Sequence, residues 1–120
     1  MAVPELGIRV TREMLQKQVA ARFPEPERGR VLTALEALGA EGDALSARVQ
    51  LAIVKLSGGR ATEVPDLIGL ARTDYRDVLA AAEYRHEMAE GVAADEAVIA
   101  AARRRDLEEF RTWIAEADHT

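Results

Sequence analysis

Of the two histidines in this chain, His86 stands at a spacing that metal sites use. Glu83-x-x-His86 puts a carboxylate and an imidazole on one helical face. Di-iron bundles use that pair twice and add a Glu from each of two other helices. Here the other histidine is His119, and there is no second Glu-x-x-His. His86-Glu87 also lacks the second histidine of a His-Glu-x-x-His helix, and zinc wants three or four ligands. On ligand count the sequence predicts no metal and no cofactor. The plain reading is a solvated face of Glu83, His86, Glu87 and Glu90 near Arg85.

The same stretch, Asp66 to Gly91, carries a second candidate chemistry. In helix-turn-helix proteins a small residue of the first helix packs on an apolar residue of the reading helix. Ala71 and Val78 are seven apart and have that spacing, with Leu67 and Leu79 to complete a small core. Tyr75 and Arg76, with Arg85, would then contact the DNA major groove. Arg72 stands where such turns often place Gly, and Asp77, Glu83, Glu87 and Glu90 would face phosphate unfavourably. DNA binding through Tyr75 and Arg76 is therefore the alternative, and two packed bundle helices the simpler reading.

No catalytic constellation is complete. Ser46 and Ser57 are the only serines, and neither lies in a Gly-x-Ser-x-Gly elbow. Asp74 and Asp77 are accounted for as an N-cap and a first-turn acid. Gly58-Gly59-Arg60 lacks the spacing and the Lys-Ser/Thr of a phosphate loop. The expectation is a protein that is not an enzyme.

A partner surface is the remaining candidate. Phe110, Trp113 and Ile114 cluster near the chain end, and Trp113 is the only tryptophan. Such a patch can dock a protein partner or a second copy of the chain, although apolar residues at helical spacing more often seal a core. Arg103-Arg104-Arg105 is a short basic spot, largely neutralised by Glu108 and Glu109 four residues after Arg104 and Arg105.

Composition narrows the setting. A chain of 120 residues, 48% hydrophobic and 31% charged, fits one globular domain with a core of its own. With no Cys there is no disulfide framework, thiolate site or cysteine nucleophile. MAVPELGIRV lacks the basic-then-apolar pattern of a signal peptide, and no stretch approaches the roughly 20 apolar residues of a membrane span. A cytoplasmic setting is expected. Only Lys17 and Lys55 among the 16 basic residues are lysine, which with the abundant Ala fits a GC-rich bacterial genome. The net charge of −5 is uneven: residues 1–60 carry nine basic and seven acidic side chains, residues 61–120 seven and fourteen. The half with the motif-like segment is the acidic one, which argues against a general polyanion binder.

The elements that must position these residues read as helices throughout. Residues 1–10 suggest an extended lead-in, and Thr11 an N-cap with a Val10–Leu15 staple. Pro24-Glu25-Pro26 breaks the first helix and opens a second with Val31, Leu32, Leu35 and Leu38 inward, stopped at Gly39. Asp43 would cap a third helix at about 45–57, apolar on almost every side and therefore central. Gly58-Gly59 ends it. Arg72-Thr73-Asp74 is predicted to be a turn with capping residues, Gly91 to end that unit, and Asp95 to cap the last helix.

Arg48 to Gly59, RVQLAIVKLSGG, followed by DLIGLARTDYRDVLAAAEY, Asp66 to Tyr84, resembles a group of small uncharacterised helical bacterial proteins. Those carry a helix ending in Lys-Leu-x-x-Gly, then a helical stretch ending near Asp-Tyr/Trp-Arg-Asp-Val/Leu-Leu. The match covers about the middle third of the chain. It implies an all-helical fold and no mechanism. The combined expectation is an all-α, single-domain bundle of five or six helices, working through protein–protein contact.

Overall fold

The computed structural model describes residues 8–38, 44–91 and 94–119. Six α-helices account for nearly all of them, and there is no strand among the described residues. The all-α bundle is what the sequence predicts.

Helix α1 (Arg12–Arg22) opens on Thr11, whose Oγ1 accepts from the Met14 N–H at 3.2 Å. It stops at Phe23, which is extended because Pro24 follows it. Helix α2 (Glu25–Glu36) starts at once, with Pro26 in a first turn that needs no N–H donor. The expected stop at Gly39 and cap at Asp43 lie outside the described residues. So does most of the lead-in, though Ile8 and Val10 pack on the core.

Helix α3 (Ala44–Ser57) is central, as its all-round apolarity demands. Leu51, Ala52, Ile53 and Val54 are four consecutive residues with no solvent exposure. Gly58 and Gly59 end it with positive φ. Gly59 has a second constraint: a Cβ there would come within 2.9 Å of the Arg22 carbonyl oxygen.

Helix α4 (Val64–Glu83) follows a 3-10 turn (Ala61–Glu63) and packs along α3. It breaks at a single residue, Asp74, which is extended (φ −157°, ψ 100°). The Asp74 carboxylate accepts from the Arg76 N–H at 3.0 Å and recaps the second half. The predicted break is therefore real, with Asp74 rather than Thr73 as its cap. Ala71, Val78, Leu79 and Ala82 all face inward.

A further break was not visible in the sequence. The helix ends at Glu83, Tyr84 leaves helical geometry (φ −139°, ψ 40°), and a separate short helix α5 (Arg85–Glu90) runs to Gly91. Asp95 then caps α6 (Glu96–Glu116), accepting from the Val98 N–H at 2.9 Å. A 3-10 turn (Ala117–His119) follows. Helices α5 and α6 form a hairpin, and the C-terminal end of α6 docks on α1 through Gln18 Nε2 to Ile114 O (3.0 Å) and Arg22 Nη2 to Trp113 O (2.6 Å). The radius of gyration, 14.4 Å, exceeds the roughly 13.6 Å of a compact chain this long. The excess fits a longest dimension of 47 Å.

Candidate functional site: a charged junction of helices

Where α3, α4, α5 and α6 meet, charged side chains are drawn together around the end of α4. Its centre is Glu83, 5% exposed despite being ionisable. The apolar stripe Val78, Leu79, Ala82 turns Glu83 inward, and Arg48 of α3 meets it there. Arg48 Nη2 and Nε donate to Glu83 Oε1 at 2.5 and 2.8 Å. Burial pushes the Glu83 carboxyl above its ordinary value, and the Arg48 hydrogen bonds only partly oppose this. The sequence pairs Glu83 with His86; the structure gives Glu83 to Arg48 instead, because Tyr84 breaks the helix between them.

His86 finds other carboxylates. Its Nε2 lies 2.8 Å from Glu109 Oε1 on α6. One turn earlier on α6, Asp106 is 5% exposed. Its two oxygens accept the backbone N–H groups of His86 (3.0 Å) and Glu87 (3.1 Å). These are donors freed by the break at Tyr84, so Asp106 acts as a cap supplied from another helix. The contact with His86 holds the Glu109 carboxyl below its usual range.

Lys55 completes the junction from the last turn of α3. It is half-buried among the charges of Arg85, Glu109, Asp106 and Glu83, and burial pulls its pKa down. On the rim Arg103 Nε donates to Glu87 at 2.6 Å, and Arg105 lies 3.7 Å from Glu109. The arginine triplet is thus partly neutralised, as expected, by Glu109 but also by Glu87 from α5.

The chemistry this arrangement offers is ligation. One oxygen or nitrogen each from His86, Asp106 and Glu109 lies within 4.8 Å of the others. Asp106 and Glu109 were missed by sequence reasoning. Their i, i+3 spacing was a signal, but nothing local ties them to a histidine 20 residues upstream.

The predicted partner surface needs correcting. Phe110 is fully buried, its ring centroid 5.7 Å from that of Trp113. Trp113 and Ile114 are half-buried against the core, with the Arg22 guanidinium 4.3 Å from the Trp113 ring centroid. Docking on α1 consumes this aromatic end, so it seals the core rather than offering a face. Tyr75 and Arg76 are both exposed, but Arg76 is held by Asp74 in two side-chain hydrogen bonds (2.9 and 3.0 Å). Ser57 is buried, its hydroxyl donating to Val54 O at 2.7 Å as part of the α3 terminus. No helix among the described residues is long and apolar enough to cross a membrane. Comparison with known proteins adds no relative: no family profile, no curated protein and no solved structure matches this chain.

Proposed function

We propose that this chain is a non-enzymatic protein that works through protein–protein contact, its first partner being a second copy of itself. The observation that carries this reading is the outer side of α6. Within Glu96–Arg105 only Ala102 is buried, while Ala97, Val98, Ala100 and Ala101 are exposed. A helix on a globular surface ordinarily buries its apolar residues. Ala97, Ala101, Arg104, Glu108, Arg111 and Ala115 recur at the 3.5-residue spacing of a paired helix and are all exposed. Two such helices laid antiparallel set Arg104 of one copy against Glu108 of the other, twice by symmetry, with Ala97 opposite Ala115. A cytoplasmic setting belongs to the same proposal and rests on the lack of a signal-peptide pattern and of a long apolar stretch, a bacterial origin rests on composition, and kinship with the small helical proteins rests on the likeness of segments Arg48–Gly59 and Asp66–Tyr84.

Light scattering over a concentration series tests it. The wild type should dimerise, and Ala101→Arg, which sets an arginine against Arg111 of the other copy, should be monomeric with an unchanged helical circular dichroism spectrum. A wild type that stays monomeric throughout would sink the reading.

A DNA-binding reading has one observation in its favour, the joint exposure of Tyr75 and Arg76. Against it, the break before them is one residue long, where a helix-turn-helix needs three or four. Steeply salt-dependent duplex binding, lost in Arg76→Ala, would support it; no binding at low salt removes it.

A further inference from the structure

The ligating groups at the α5–α6 hairpin come from both of its arms. His86 sits on α5, Asp106 and Glu109 one turn apart on α6. Glu109 stands at the rim, its side chain 36% exposed, and the other two lie deeper. The His86 side chain is 19% exposed, and Asp106 is buried with both oxygens aimed by backbone N–H groups. From these residues we propose a site for a divalent first-row transition metal, zinc as the leading ion, held by His86 Nε2 and the carboxylates of Asp106 and Glu109. It is independent of the dimer reading.

The distances suit an ion. Cis ligands around a metal at about 2.1 Å stand roughly 3.0–3.4 Å apart. His86 Nε2 and Glu109 Oε1 are already 2.8 Å apart, and one ligand atom each of His86, Asp106 and Glu109 falls within 4.8 Å of the others. An ion therefore enters by shifts of about an ångström. One nitrogen and two oxygens suit zinc, cobalt, nickel or manganese rather than a thiophilic ion. The two carboxylates balance the charge of a divalent cation.

Asp106 retains lone pairs for a metal, since each of its oxygens accepts one backbone hydrogen bond. Those bonds are the outer-shell support that metal-ligating carboxylates ordinarily have. The nearby cations do not close the site. Arg85 and Arg105 stand 3.4 and 3.7 Å from Glu109, but their side chains are 63% and 69% exposed and can turn into solvent. Solvent would fill the positions that three protein ligands leave open. Bound there, the ion would clamp α5 to α6.

The test is calorimetric titration of the purified protein with zinc, and with cobalt as a spectroscopic probe. One ion per chain is expected, with affinity reduced at least about tenfold in His86→Ala and in Glu109→Gln and unchanged in His119→Ala. Because His86→Ala could disturb the hairpin, the wild type supplies a second readout. Zinc should shift the ring resonances of His86 and leave those of His119 in place. Absence of binding to either metal overturns the proposal. So does binding that survives the loss of His86 or that follows His119.

Discussion

Two regions of this protein are held together by opposite means. Around Leu51–Val54 the interior is dry, and α3 is gripped on every side by apolar neighbours. Around Glu83 the interior is charged, and α3 reaches α4 through Arg48, while α5 and α6 are joined by Asp106, His86 and Glu109. The dry region tolerates variety in its parts so long as volume is kept. The charged region tolerates almost none, because each group there is buried on condition that its partner is present. No buried polar side-chain atom among the described residues lacks a partner, so that condition is met.

The sharpest way to test this contrast is to empty one side of it. Ile53→Ala should lower unfolding free energy by about 4 kcal/mol, measured in urea, since Ile53 has no exposure and its neighbours can close the cavity only partly. A loss under about 1 kcal/mol would mean the centre is loosely packed and the comparison fails.

On the charged side the prediction concerns a pair. Glu83→Leu alone should cost about 3 kcal/mol, because it removes the carboxylate that faces the Arg48 guanidinium, whose side chain is 14% exposed. The double variant Arg48→Met, Glu83→Leu should recover most of that loss. If the double variant is as unstable as the single, the pair is held by more than mutual satisfaction.

Removing the cap between helices should matter less. Asp106→Ala leaves the His86 and Glu87 N–H groups without their acceptors, at about 1–2 kcal/mol. Hydrogen exchange should then quicken in Arg85–Glu90 and leave α3 unchanged. Equal loss in both would mean that the hairpin and the core unfold as one.

The smallest effect is one of pH. The folded Glu83 carboxyl is raised above its ordinary 4.5. Its contribution to stability is therefore fully present below that value and is lost as pH rises through the folded value. Glu109 and Asp74, both lowered, behave the other way and lose their contributions on acidification. In Glu83→Gln the rising-pH loss should vanish, read from denaturation curves across the acidic range. An unchanged pH profile would show that Glu83 carries no such slope.

Much of the fold was legible because helix ends are written locally. Thr11, Asp74 and Asp95 each accept from a backbone N–H two or three residues ahead, and that reach is contained in the sequence. The apolar run of α3 announced its central place for the same reason. The charged junction was hardly legible. Glu83 and His86 have metal-site spacing, yet they part company at Tyr84, where no local cap marks a boundary. Phe110 could be read as core or as surface, since apolar spacing says only that a face is buried, not against what.

By itself, then, the sequence determined which segments are helical, where most of them start and which one lies in the middle. Backbone capping and hydrophobic period act over a turn or two, and a turn or two of sequence suffices to read them. Only the tertiary structure decided that α4 stops at Glu83, that Asp106 takes the freed N–H groups 19 and 20 residues away, and that Glu83 answers to Arg48 rather than to His86. Those outcomes depend on which helices meet, and a buried charge settles on whichever partner the packing brings within reach.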